Sequence, residues 1–189
     1  MIQSGLVSLD YYKWHSAFDP EFDTFQYMVW HKTNPIPKFR KAGFLNSCEL
    51  ILCMWNKEHI WNFGKQNEMH NFIETPICMG RERLKDPVHP TQKPLKVLKH
   101  IINIASNPGS LVFDPFMGVG STGIASIELG RRFLGIELDK NYYHAAEKRF
   151  KDYNNIDKTP NLLKSNKNIK LLPEIADEPV FHLRSATGC

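Results

Sequence analysis

Val112-Phe113-Asp114-Pro115-Phe116-Met117-Gly118-Val119-Gly120-Ser121-Thr122-Gly123 is the stretch on which the fold turns. The short apolar run from Ser110 to Phe113 follows the turn pair Pro108-Gly109, a pattern that predicts a parallel strand buried on both faces. Gly118 and Gly120 then leave out side chains where a ligand would approach the backbone. Ser121 or Thr122 is expected to cap a helix over Ile124 to Leu129, with Gly130 ending it. A second strand from Arg132 to Leu138 closes on two acids, Glu137 and Asp139. Strand, glycine turn, helix and strand together predict a βαβ unit that holds a nucleoside.

The nucleoside is less certain from glycine spacing than from the acid before it. Gly118-x-Gly120-x-x-Gly123, with Glu137 downstream, also satisfies the dinucleotide fingerprint, so a nicotinamide oxidoreductase is one reading. Asp114-Pro115-Phe116 argues against it, since a carboxylate before the first glycine would repel a pyrophosphate but accept hydrogen bonds from an ammonium. S-adenosylmethionine fits better: its ammonium meets Asp114 or nearby backbone, its ribose hydroxyls meet Glu137, and its adenine packs on Phe116. A helix–strand turn with no ligand is the plain alternative.

Upstream stands His89-Pro90-Thr91-Gln92-Lys93-Pro94, followed by Leu95, Leu98, Ile101, Ile102 and Ala105 at helical spacing. Pro90 and Pro94 stiffen the approach to that helix, and Thr91 can cap it or donate to a ligand. This hexapeptide, the helix, Asp-Pro-Phe-x-Gly-x-Gly-Ser-Thr, and then Gly-Ile-Glu-Leu-Asp resemble the amino-group DNA methyltransferases, which methylate adenine N6 or cytosine N4. The order resembles their circularly permuted, beta-type subgroup, and the likeness runs over residues 25 to 150.

That resemblance implies an α/β fold: a Rossmann-like S-adenosylmethionine-dependent methyltransferase sheet with an antiparallel edge hairpin, incomplete in this chain. It implies site-specific methylation of double-stranded DNA, with adenine N6 chosen over cytosine N4. It places His89, Thr91 and Lys93 against the cofactor, opposite Asp114, Phe116, Gly118, Gly120, Ser121, Thr122 and Glu137. It places Lys32 and Asn34, in Trp30-His31-Lys32-Thr33-Asn34-Pro35, in the target-base pocket, and Lys38, Arg40 and Lys41 on phosphate. For these three a solvated charged loop serves equally well.

The 189 residues suit one domain of ordinary apolar content. Residues 1–153 are expected to form the methyltransferase domain: target-side strands over 25–63, a short recognition segment over 64–88 and a cofactor half over 89–153. Residues 154–189 read as a polar, partly disordered tail with strand hints at Ile169 to Leu172 and Val180 to Leu183. No signal peptide or membrane span is evident, so the expected location is the cytoplasm, with no membrane partner. Cys48, Cys53, Cys78 and Cys189 lack paired metal spacing, and neither zinc nor disulfides are expected. A net charge of +4 permits a nucleic-acid partner without requiring one.

Along the chain, Ser8 to Phe18 suggests a short helix and Phe25 to His31 a strand. The prolines of Asn34-Pro35-Ile36-Pro37 force a loop. Tyr27 and Trp30 are assigned to core packing. Glu49 to Trp55 and His59 to Phe63 are expected to pair as a hairpin through Asn56-Lys57-Glu58. Residues 64–88 are irregular, with Arg81, Arg83 and Lys85 able to meet DNA or simply solvated. Tyr142 to Phe150 gives a further amphipathic helix.

The resembling family also carries Asp, Asn or Ser before Pro-Pro and an aromatic residue, which hold the target amino group and stack on the flipped base. Asp19-Pro20-Glu21-Phe22, Asn34-Pro35-Ile36-Pro37 and Asp114-Pro115-Phe116 all fail that pattern, so the catalytic residues are not assigned. The chain therefore resembles a carboxyl-terminal portion, by truncation, split gene or late start, lacking two strands including the one beside the glycine strand. Exposed apolar edge surface and weak or no methylation by the isolated chain are the expectations. Two further readings stay open: a noncatalytic S-adenosylmethionine- or DNA-binding module, and one half of an enzyme whose catalytic half is separately encoded.

Overall fold

The structure, a computed structural model, describes residues 2–4, 22–156 and 169–171. The described residues form two sheets and three α-helices. Strands β1 (Ile2–Ser4), β2 (Thr24–Lys32), β3 (Cys48–Trp55) and β4 (Phe72–Thr75) form one sheet in the order β1-β3-β2-β4. β3 runs antiparallel to both β1 and β2, whereas β4 is parallel to β2. Strands β5 (Leu111–Asp114), β6 (Arg132–Gly135) and β7 (Ile169–Leu171) form a second, fully parallel sheet.

Helix α1 (Leu95–Ala105) lies on the first sheet because its apolar stripe recurs at helical spacing. Val97 and Ile101 pack on Met28, Trp30 and Ile51, with Ile73 and Cys53 at the margin. Burial of each such side chain stabilises by about 1.5–3 kcal/mol. Trp30 is 3% exposed, and its indole N–H donates to Thr75 Oγ1 at 2.8 Å, so the ring packs without an orphaned donor. Helices α2 (Ser121–Glu128) and α3 (Lys140–Ile156) cover the second sheet. Its core is Met117, Ile124, Ile127, Phe133, Ala146 and Phe150. Leu95, at the start of α1, packs against that core too, and Lys99 of α1 pairs with Glu128 of α2, so α1 joins the two halves.

Several expectations are corrected. The hairpin of Glu49–Trp55 with His59–Phe63 does not form: β3 pairs with β2 from Cys48 opposite His31 to Trp55 opposite Thr24. The 59–63 segment instead serves the end of α1. Asn62 donates its backbone N–H to Ile104 and its side-chain amide to the carbonyls of Asn103 and Ser106, satisfying acceptors a helix end leaves open. The 64–88 segment is not wholly irregular, since it contains β4, four residues too short for periodicity to mark.

Neither Ser121 nor Thr122 caps α2. Gly120 takes the cap position at φ 78°, and Ser121 is already helical. Thr91 does not cap α1; Pro94 precedes it, and the Leu95 N–H donates to Glu82 Oε1 at 2.5 Å. Strand β5 is not buried on both faces. Among the described residues it pairs along one edge only, and Leu111 and Phe113 are 52% and 40% exposed. The Ser8–Phe18 helix lies outside the described residues, as do most of 154–189 apart from β7 and the end of α3.

Candidate cofactor and target site

The site forms where the glycine turn, the hexapeptide before α1 and the ends of β2 and β6 meet. Gly118 and Gly120 both have positive φ, 54° and 78°, which an L side chain rarely adopts. At Gly118 a Cβ would lie 2.8 Å from His89 Nε2, so the imidazole of the hexapeptide sits directly over the turn. At Gly120 a Cβ would meet Phe150 Cζ at 2.8 Å, which makes that glycine a packing requirement of the helix behind. The two glycines thus act for different reasons.

Glu137, just past β6, faces Gly118 from the other side. Its Oε2 accepts from the Gly118 N–H at 2.8 Å and its Oε1 from the Asp139 N–H at 2.9 Å. Each oxygen keeps a lone pair for a hydroxyl donor. Asp114 ends β5 in an Asx turn, with Oδ1 accepting from the Phe116 N–H at 3.0 Å. Phe116 projects outward, 73% exposed, as a ring without cover on the rim. His89 stacks edge-on to Tyr142 of α3 at 4.6 Å between centroids, and its buried Nδ1 has no hydrogen-bond partner among the described residues. Burial pushes the His89 imidazole below its ordinary value, with Lys93 and Arg83 adding to the shift and Glu137 opposing it. The ring thus turns Nε2 toward the glycine cradle, while Nδ1 is the buried nitrogen without a partner among the described residues.

The hexapeptide is held by residues its own pattern did not single out. Buried Gln92 accepts from the Leu84 N–H at 2.9 Å and donates to the Glu82 carbonyl at 2.8 Å. Thr91 is exposed at the surface of the segment. On the loop's far side, Arg149 of α3 donates to the Val119 carbonyl and, at 3.4 Å, to Ser121 Oγ. Thr122 contributes its carbonyl to Ser126 Oγ, 2.7 Å, a bond internal to α2.

The two lysines assigned to different ends of the site meet on one carboxylate. Glu49 Oε1 lies 2.7 Å from Lys32 Nζ, and Glu49 Oε2 lies 2.5 Å from Lys93 Nζ. Both ammonium groups also stand over the Trp30 ring, at 5.4 and 5.6 Å from its centroid. Burial alone would raise the Glu49 carboxyl, but hydrogen bonds from Lys32 and Lys93 and their charges outweigh it and hold it below the usual range. Glu49 had read only as the start of a strand; acidic character at a strand's first residue gave no sign of two partners distant in sequence.

Asn34 is engaged within the fold at both ends of its amide. Its Oδ1 accepts from the Ile77 N–H at 2.8 Å and its Nδ2 donates to Met79 Sδ at 2.6 Å, so it ties the loop after β2 to the loop after β4. Lys38, Arg40 and Lys41 are exposed. Among the described residues no cluster of three or more His, Cys, Asp or Glu side chains could hold a metal ion, and no helix is long and apolar enough to cross a membrane.

The chain has counterparts among known proteins. The family model for DNA methylases matches residues 13–148. The Type II methyltransferase M.HinfI of Haemophilus influenzae is 36% identical over 138 residues, covering 66% of this chain and 38% of that protein. M2.DpnII of Streptococcus pneumoniae is 33% identical over 138 residues, covering 67% of this chain and 51% of that protein. The chain thus spans about half the length, or less, of these two relatives. Among solved structures, the M1.HpyAVI–SAM complex superposes with a TM-score of 0.68 at 32% identity, over 79% of this chain and 73% of that one. The cytosine-N4-specific PvuII DNA methyltransferase superposes at 0.55 with 18% identity, over 66% of this chain and 50% of that one, a likeness of fold alone.

Proposed function

Because the chain belongs to the DNA methylase family, whose model matches residues 13–148, we propose that it binds S-adenosylmethionine at the glycine cradle and serves methylation of a base amino group in double-stranded DNA in the cytoplasm. The observation that carries this is the convergence of His89, Gly118 and Glu137, three residues far apart in sequence that close on one turn. Adenine N6 is the proposed target ahead of cytosine N4, following the resemblance read from the sequence motifs.

The residues fit the cofactor on the structure's own terms. The cradle at Gly118 has no room for a Cβ, His89 Nδ1 is a buried nitrogen without a partner among the described residues, and Phe116 offers an exposed ring. In this reading Asp114 and the turn backbone hold the ammonium, Glu137 the ribose hydroxyls, and Phe116 the adenine face. His89 and Lys93 close the cradle from the hexapeptide. Ser121 and Thr122 act through the α2 N-terminus, and Thr91 is a surface contact at the rim. Lys32 lies at the target side. Asn34 orients the target-side loop through Ile77 and Met79, and its remaining amide N–H and lone pair are what it would offer the base. When bound, the sulfonium supplies an electrophilic methyl group.

A second reading has one observation in its favour. Leu111 and Phe113 form an exposed apolar edge on β5, which suits a chain that holds cofactor and DNA while a separately encoded partner supplies the catalytic strand.

Calorimetric titration with S-adenosylmethionine, beside an Asp114→Ala variant, tests the proposal. Saturable binding that weakens about tenfold or more in the variant is expected. A folded parent that binds no cofactor rejects it. Mass analysis of nucleosides from DNA methylated by the chain, alone or with a co-expressed upstream frame, then separates N6-methyladenine from N4-methylcytosine.

A further inference from the structure

The loop between β2 and β3 carries features that neither fold nor cofactor site uses. Residues 33–48 contain no Asp or Glu, while Lys38, Arg40 and Lys41 project from the loop alongside Phe39 and Phe44. The two rings are 91% and 94% exposed, against the strong tendency of phenylalanine toward burial. The loop is nonetheless built and not slack. Its neck is closed by the Lys32 N–H on the Ser47 carbonyl at 2.6 Å and Lys32 Nζ on the Asn46 carbonyl at 3.4 Å. Its tip turns through Lys41 at φ 47° and Gly43 at φ 69°, with the Lys41 N–H on the Lys38 carbonyl at 3.2 Å. A lysine held in the left-handed region costs on the order of 1 kcal/mol, which surrounding structure must sustain.

We propose that this loop is a DNA-stacking finger: Phe39 and Phe44 stack on bases exposed where the duplex opens, while Lys38, Arg40 and Lys41 hold the flanking phosphates. The inference rests on the DNA reading above and deepens it by naming the element that stabilises the opened duplex. Charge complementarity selects nucleic acid over a protein partner, because an acid-free loop with three exposed cations and two rings is a mixed stacking and phosphate surface. The Lys32 neck ties the finger to Glu49 and Lys93, so it is anchored on the site it would serve.

Fluorescence anisotropy on the full chain tests this with two labelled probes, a perfect duplex and the same duplex carrying a central mismatched bubble. Loss of each stacked ring weakens binding by about fivefold or more. Phe39→Ala/Phe44→Ala should therefore weaken bubble binding by about 25-fold and leave the salt slope alone. Lys38→Ala/Arg40→Ala/Lys41→Ala should reduce the slope of log affinity against log salt by about 2.7. Phe39→Trp/Phe44→Trp should retain parental affinity, whereas the Leu pair should behave like the Ala pair. Unchanged bubble binding in a folded Ala pair overturns the proposal, as does full rescue by Leu or a loss of self-association in place of DNA binding. S-adenosylmethionine titration run in parallel separates the two readings. Cofactor binding without Phe-dependent DNA binding rejects the finger only, and a folded chain that binds neither rejects both.

Discussion

Replacing Glu49 with glutamine should cost more stability than its partly buried place near the start of a strand suggests. The carboxylate is the common acceptor for Lys32 at 2.7 Å and Lys93 at 2.5 Å, and the three side chains are only 15–26% exposed. Hydrogen bonds to charged groups contribute about 1.5–3 kcal/mol each, and partial exposure reduces that. Removing the charge also leaves the two ammonium groups repelling each other, by about 2–4 kcal/mol for unit charges about 4–8 Å apart at an effective dielectric of about 20, before the lysines swing toward solvent. After that relaxation the expected net loss is about 2 kcal/mol, or a Tm lowered by about 4–8 °C for a domain of this size. Urea unfolding at pH 7 measures it, and in a Lys32→Met background the loss should fall by about half because one of the repelling charges is gone. The pH dependence has a fixed sign. A carboxyl whose folded pKa is depressed contributes fully above its unfolded value of 4.5 and loses that contribution as pH falls through the folded value. Parent and Glu49→Gln should therefore converge in acid. A variant within about 0.5 kcal/mol of the parent at pH 7 would refute the shared-carboxylate account.

Three further outcomes follow from packing and burial. Gly123→Ala places a Cβ against Phe150 and 2.8 Å from Phe133 Cε1, so urea unfolding should show a loss of about 1–3 kcal/mol. Arg131 is 3% exposed and donates to the Ser106 carbonyl, to Ser106 Oγ and to the Leu129 carbonyl, where α1 and α2 end. Arg131→Met should cost about 2–4 kcal/mol by orphaning those acceptors, measured as a shift in urea midpoint at constant slope. Cys78 is 1% exposed and its thiol is pushed up to about 11, by burial first and Glu82 second. Iodoacetamide at pH 8 should label exposed Cys48 well before Cys78, and peptide mapping that finds the reverse order would contradict this placement.

Much of the cofactor half was legible because its signals are local. Leu95 to Ala105 repeats apolar residues at helical spacing, and α1 forms over those residues. The glycines announce a turn that no Cβ can share, and β5, α2 and β6 follow in the predicted order. What failed was pairing. His59 to Phe63 has strand-like composition, but nothing in five residues reveals that the α1 C-terminus lies close enough to claim Asn62. Ser121 is a good cap by type, yet the left-handed Gly120 already ends the loop one residue earlier.

The same distinction governs the site. His89, Gly118 and Glu137 were found because each belongs to a motif with its own spacing, and the fold brings them together. Glu49 and Arg149 belong to no motif, and Gln92 is the one hexapeptide position given no role by its pattern; each acquires its role from partners 17 and 44, 28 to 30 and 8 to 10 residues away. Lys32 and Lys93 were assigned separately, one to the base and one to the cofactor, and the structure puts both on Glu49. A ligand that draws Lys93 away from Glu49 leaves that carboxylate to Lys32 alone, and Lys32 closes the neck of the Phe39–Phe44 loop. Were Lys93 to engage the cofactor as proposed, its capture and the posture of the target-side loop would be linked through one charge. Glu49→Gln should weaken that linkage, so S-adenosylmethionine should shift DNA affinity less in the variant than in the parent.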